Sequence, residues 1–215
     1  MNLGIAGKLA IVTASNGGLG VAIARALAAE GVNLALFARS EEKLRANAEQ
    51  IREQYKVRVL PVVGDMRSRA DVENLVSLVN REFGGPDILV LNTGRPPLPG
   101  RDVLDETDDA RWEEAYRTQL WGAILLARAI APILAARGWG RLIAITSATV
   151  KQPLPKHGLS TVFRAGVTGL MKHLANEVAA RGVTVNMVCP ASVQTDSLAR
   201  SYDLTQRLKT IPMGR

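Results

Sequence analysis

The 215-residue chain has a single cysteine, Cys189, so no disulfide can form within it and a reducing, cytoplasmic setting is expected. Aromatic residues make up only 4% of the sequence, and its Lys and Arg are scattered singly rather than in runs. That pattern argues against a nucleic-acid partner, which needs basic stretches interleaved with stacking rings. Long uninterrupted apolar runs are also lacking. The most apolar stretch, residues 120–136, contains Arg128 and Pro132, which argues against a membrane span. The N-terminus has no basic segment followed by a longer apolar run and a cleavage site, so no secretory leader is expected. A chain of this length buries enough surface to stand without a disulfide or a metal, and one domain over residues 1–215 is expected.

Charge is present but unevenly spread. The 27 Lys and Arg against 20 Asp and Glu give a net +7. Residues 1–139 hold 17 of each sign, which leaves 10 basic and 3 acidic side chains for residues 140–215. A cationic final third suits an anionic small molecule, or a substrate presented on an acidic carrier.

Short apolar runs alternate with segments of helical period. Residues 9–13, 33–37, 57–63, 88–91, 141–146 and 183–188 read as strands, each a near-continuous apolar run of the kind found where both faces of a parallel sheet are covered. Between them, residues 160–181 place Phe163, Val167, Leu170, Leu174 and Val178 on one stripe of a helix. Residues 110–137 read as a long helix capped by Thr107, with a kink expected at Pro132. Six strands alternating with helices predict a doubly wound parallel sheet in three layers, a Rossmann-like α/β fold, with ligands at the carboxyl ends of the strands.

The first such end reads Thr13-Ala14-Ser15-Asn16-Gly17-Gly18-Leu19-Gly20 and runs into a helix over 21–30. Glycines between a strand and a helix let the backbone approach a pyrophosphate, whose charge then rests on the N–H groups of the helix start. Ser15, Asn16, Gly17, Gly18, Leu19 and Gly20 are therefore candidate cofactor contacts. The second strand ends at Phe37-Ala38-Arg39-Ser40, with no carboxylate to receive a free ribose 2′-hydroxyl. Arg39 can instead pair with a 2′-phosphate, which predicts NADP(H) over NAD(H).

These residues resemble the short-chain dehydrogenase/reductase family, particularly its 3-oxoacyl-carrier-protein-reductase-like members, over residues 7–215. Thr13 to Gly20 is similar to the family's TGxxxGxG motif, with Ala14 in place of its first glycine. Gly64-Asp65-Met66 resembles the segment beside the adenine, and Asn92-Thr93-Gly94 the NAG motif after the fourth strand. Residues 141–147 resemble the fifth strand ending in the catalytic serine, here Ser147. Residues 186–196 resemble the PGxVxTD stretch over the nicotinamide, with Ala191 for its glycine. The resemblance thus implies Asp65, Met66, Asn92, Gly94, Pro190, Val193 and Thr195 as further cofactor contacts.

The family's chemistry uses Asn, Ser, Tyr and Lys, and only the serine, Ser147, is kept. The tyrosine position falls on Ser160, the lysine position on Arg164 and the asparagine position on Gln119. A tyrosine of pKa about 10 can be brought toward the working range by a cation, whereas an aliphatic hydroxyl is a far weaker acid. Arg164 stays protonated and cannot pass a proton on, but it can hold ribose hydroxyls and set positive charge beside a carbonyl oxygen. Loss of general acid catalysis costs about 10²–10⁴ in rate. His157, one helical turn before Ser160, is the first candidate for a substitute acid because it titrates near neutrality. Lys151, Lys156 and Tyr202 are others, whereas His173 reads as structural.

The chain ends at Ile211-Pro212-Met213-Gly214-Arg215, where the family continues into a further helix and a last strand. If the protein ends there, a sheet lacking that strand is expected, with an open edge; if the chain is a fragment, an acidic continuation would offset the +7. The resemblance implies a homo-oligomer, a dimer or tetramer, through the helices at 110–137 and 160–181. Three roles fit: an NADP(H)-dependent oxidoreductase acting on a carbonyl or alcohol, possessing a degenerate tetrad; a pseudoenzyme holding NADP(H) as a regulatory ligand; and a structural partner subunit without cofactor. The polar segment at 197–209, where a substrate lid is expected, identifies no substrate.

Overall fold

The computed structural model describes residues 2–195, 208–209, 211 and 213–214. Its described strands form one six-stranded parallel sheet in the order β3-β2-β1-β4-β5-β6. The strands are β1 (Leu9–Thr13), β2 (Asn33–Ala38), β3 (Val59–Val63), β4 (Ile88–Asn92), β5 (Gly140–Ile145) and β6 (Val183–Val188). The expected doubly wound architecture is present, with strand ends shifted by one or two residues. Residues 57 and 58 fall outside β3: the Arg58 carbonyl still accepts the Leu34 N–H at 2.9 Å, but its own N–H donates to the Asn33 side chain at 3.0 Å.

Two helices, α1 (Gly18–Ala29) and α2 (Glu41–Tyr55), cover one face of the sheet. The other face carries α3 (Arg69–Phe83), α4 (Asp109–Ala115), α5 (Gly122–Ala136) and α6 (Gly158–Val178). Leu34, Leu36, Leu44 and Ile51 build the first core, and Ile11, Leu89, Leu126 and Ile130 belong to the second. Strand residues alternate between the two, which is why both alternations in the sequence are apolar and the runs look continuous. Among the described residues β6 pairs only with β5, and Val188 on it is half exposed.

The long helix departs from expectation in two places. Asp108 rather than Thr107 caps it, its carboxylate accepting the Ala110 N–H at 2.9 Å. Its irregularity is a π-helical turn at Tyr116–Trp121, while α5 continues through Pro132. Pro132 leaves only the Arg128 carbonyl without its helical donor, and both residues are exposed, so water can serve that oxygen. The combined helix, Asp109–Ala136, is long and apolar enough to cross a membrane by composition alone. Its apolar residues instead pack into the core, Leu125, Leu126, Ile130 and Leu134 among them.

Candidate active site

The chain reverses its direction of build between β1 and β4, and there the sheet opens. The β1–β4 ladder ends at Val12↔Val90. Past it Thr13 takes over with its side chain: Oγ1 donates to the Asn92 carbonyl at 2.7 Å and accepts the Asn92 N–H at 2.9 Å. This fully buried hydroxyl fixes the crevice between the two strand ends, the usual ligand position in an open α/β sheet. Sequence reasoning read Thr13 only as part of a motif and missed this brace.

The turn after β1 is built by close approach. A Cβ on Gly20 would lie 2.2 Å from the Ala14 carbonyl oxygen, so the first turn of α1 can rest on the incoming strand only with glycine there. Gly18 has φ +53°, and a Cβ on Gly17 or Gly18 would meet open space. Helix geometry leaves the N–H groups of this first turn without intrahelical acceptors, facing that space. Ala14, standing where the family motif has glycine, adopts φ +49°. Ser15 was expected among the ligand contacts, but its hydroxyl is wholly enclosed and has no partner. What it can offer a ligand is backbone alone.

Arg39 follows β2 and is exposed. Asp65 is engaged by Arg67, which donates Nη2 to Oδ2 at 2.7 Å and Nε to both carboxylate oxygens, and reaches Glu114 with Nη1 at 3.1 Å. Burial alone would raise the Asp65 pKa; hydrogen bonds and charge from Arg67, aided by Arg39, hold it below the ordinary carboxylate value. Met66 is another of the expected contacts. Its side chain belongs to the core and presses on α5, where a Cβ on Gly122 would lie 2.7 Å from Met66 Cγ.

Gly94 packs against the π-helical turn, since a Cβ there would lie 2.5 Å from Thr118 Cγ2. Gln119, within that turn, is fully buried, and neither amide atom has a partner. Such a group normally binds something, most simply an enclosed water. Ser160 sits in the first turn of α6, 8% exposed, with Arg164 one turn further on. Arg164 Nη1 donates to the carbonyls of Ile145 and Thr146 at 3.2 and 3.0 Å, and Nη2 to that of Gly94 at 3.3 Å. It thereby staples the ends of β4 and β5 together. Burial, with Arg95 nearby, pulls its pKa down to about 10, so it remains a cation at neutral pH.

Ser147 leaves β5 extended, and its Oγ accepts the Thr149 N–H at 3.2 Å and the Thr149 hydroxyl at 3.1 Å. His157 stands at the cap position of α6, its Nδ1 2.7 Å from the Pro155 carbonyl. The loops after β4 and β5 are tied together. Gly158 N–H donates to the Arg101 carbonyl at 3.0 Å, and Lys156 N–H to Asp102 at 2.7 Å. The enclosed carboxylate of Glu106, paired with Arg111 at 2.8 Å and Arg101 at 3.2 Å, braces the first of these loops. Hydrogen bonding to Arg111 outweighs desolvation and keeps Glu106 below the ordinary carboxylate value. Pro190 accepts the Ala148 N–H at 2.9 Å. Val193 and Thr195 follow in the loop after β6, while Tyr202 and residues 196–207 lie outside the described residues. Two hollows of about 490 Å³, one beside Arg58 and Phe83 and the other between α6 and β6, lie away from this cleft.

A glycine turn joining a first strand to a first helix, at the reversal point of a parallel sheet, defines a nucleotide-binding protein of the Rossmann type. The family description "short chain dehydrogenase" matches residues 8–204, and the chain belongs to that family. It is 32% identical over 212 residues to the 3-oxoacyl-acyl-carrier-protein reductase FabG of Escherichia coli (strain K12), covering 97% of this chain and 84% of the relative. L-sorbose reductase from Gluconobacter frateurii, solved with NADPH and L-sorbose, superposes with a TM-score of 0.87 at 32% identity, over 99% of this chain and 78% of that one. A variant actinorhodin polyketide ketoreductase, solved with NADPH, superposes with a TM-score of 0.88 at 31% identity, over 97% of this chain and 84% of that one.

Proposed function

We propose that the chain is an NADP(H)-dependent oxidoreductase that interconverts a carbonyl and an alcohol, acting through Ser147 and Arg164 without the family's tyrosine. This reading is supported by a glycine turn with open space at its glycines after β1, an exposed Arg39 after β2 and a serine after β5, all at the carboxyl ends of one parallel sheet. The residues fit a nicotinamide dinucleotide. The first turn of α1 would hold the pyrophosphate, Arg39 the 2′-phosphate, and the ends of β4 and β5 the nicotinamide half. When bound there, the cofactor supplies or accepts a hydride at the substrate carbon.

The chain's own residues supply the remaining steps. Ser147 donates its hydroxyl proton in a hydrogen bond to the carbonyl oxygen. Arg164, held by the carbonyls of Ile145, Thr146 and Gly94, is a fixed positive charge at that strand end and steadies negative charge on that oxygen. Ser160 is too weak an acid to give up a proton, so the proton reaches the alkoxide from His157. The missing tyrosine costs about 10²–10⁴ in rate. As substrate we propose an oxo compound, anionic or carried on an acyl carrier, because of the cationic final third and the kinship with an acyl-carrier-protein reductase. A dimer or tetramer through α4–α5 and α6 completes the proposal.

Single-turnover oxidation of bound NADPH by acetoacetyl coenzyme A tests the reading. A slow but substrate-dependent loss of NADPH absorbance supports it. Tight NADPH binding with no oxidation by any oxo compound replaces it with the regulatory-ligand role.

A further inference from the structure

We infer that Thr149 is a positioning residue that turns Ser147 into an obligate hydrogen-bond donor toward the substrate oxygen. The inference rests on the reading of Ser147 proposed above. A serine hydroxyl has two lone pairs and one proton. Both lone pairs of Ser147 Oγ are engaged by one neighbour, whose N–H donates at 3.2 Å and whose hydroxyl donates at 3.1 Å. Nothing among the described residues accepts the Ser147 proton in return, so it is the one group this side chain has left to offer.

Capping alone does not require the second bond. A serine that merely closes the turn at Ala148–Val150 needs only the backbone N–H, which any residue at position 149 would supply. The threonine hydroxyl adds a contact with two consequences. It removes the competing arrangement in which Ser147 accepts a hydrogen bond from the substrate or from water. It also polarises the Ser147 O–H, since a hydroxyl that accepts becomes a better donor.

Thr149 is placed firmly enough to do this. It is 2% exposed, the N–H of Ala148 just before it is held by the Pro190 carbonyl at 2.9 Å, and the Val150 N–H just after it by the Ser147 carbonyl at 3.2 Å. In a site whose tyrosine position is Ser160, Ser147 is the remaining neutral donor at the strand end. The orientation of its proton therefore matters more here than where a second hydroxyl shares the oxygen.

The test is reduction of acetoacetyl coenzyme A by the whole chain with NADPH, comparing wild type, Thr149→Val, Thr149→Ser, Ser147→Ala and the double variant Thr149→Val/Ser147→Ala. Valine keeps the shape and removes the hydroxyl. We expect Thr149→Val to lower kcat about tenfold with KM within twofold, less than the roughly 10²–10³ lost when a donor to the oxyanion is itself removed, because Ser147 is still there. Thr149→Ser should recover most of that loss, and Thr149→Val should have no further effect once Ser147 is alanine. An unchanged kcat in Thr149→Val overturns the inference, as does an equal loss in the Ser147→Ala background, which marks a merely structural role. A wild type that binds NADPH but reduces no oxo compound overturns the proposed function, and this role with it. An active wild type with an indifferent Thr149→Val overturns only the role of Thr149.

Discussion

Replacing Ala14 with glycine should make this protein more stable, although the change removes a methyl group and loosens the unfolded chain. Ala14 has φ +49°, in the left-handed region where an L side chain crowds the following carbonyl. Holding a non-glycine residue there costs about 1–2 kcal/mol. Glycine avoids that cost but loses about 0.5–1 kcal/mol more conformational freedom than alanine on folding. The balance favours Ala14→Gly by about 0.5–1 kcal/mol. In a domain of this length 1 kcal/mol moves Tm by about 2–4 °C, so a rise of about 1–4 °C is expected in a calorimetric melt without cofactor. The counterpart is Gly20→Ala, whose Cβ would lie 2.2 Å from the Ala14 carbonyl oxygen and 2.9 Å from Ser15 Cα, neither of which can swing aside. That variant should lose about 1–3 kcal/mol and weaken NADPH binding as the turn is displaced. A lower Tm in Ala14→Gly, or an unperturbed Gly20→Ala, would refute this account of the turn.

Arg39→Ala should weaken NADPH binding about tenfold and leave NADH binding unchanged, measured by calorimetry, since only the 2′-phosphate is lost as a partner. His157→Ala should abolish any steady-state reduction of acetoacetyl coenzyme A while NADPH still binds; unchanged turnover would remove His157 from the mechanism. Asp65, whose pKa is lowered in the folded state, stabilises the protein above its unfolded value near 3.8. That contribution is lost as pH falls through the lower folded value. The stability gap between wild type and Asp65→Asn should therefore close below about pH 4 in denaturant titrations; a gap that persists in acid would show that the Asp65–Arg67 pair is not its source.

The six strands and the layers were legible because buried parallel strands leave continuous apolar runs and glycine turns mark their ends. The π-helical turn of the long helix went unanticipated for a physical reason. Proline is visible in sequence, but its penalty at Pro132 falls on the exposed face, whereas the π-helical turn at Tyr116–Trp121 carries no residue that announces it. At the site, motif spacing marked Gly20, Arg39, Ser147 and Arg164. It could not reveal that Ser15 and Met66 point inward, because side-chain direction depends on what packs behind a turn. Thr13 and Thr149 escaped notice for the converse reason: each acts through a hydroxyl aimed at another element or residue, and a lone threonine gives no signal in sequence. Gln119, Ser160 and Arg164 were marked in the sequence only as expected departures from the family's tetrad. Only the structure showed Gln119 buried without partners and Arg164 bound to three carbonyls.

The central claim is that the crevice between β1 and β4 holds NADP(H). Calorimetric titration of the whole chain with NADPH, with NADH as the control, tests it most directly. Micromolar NADPH affinity, with NADH about tenfold weaker, is the expected result. A folded chain that takes up neither cofactor would contradict the claim and leave the cleft without its proposed ligand.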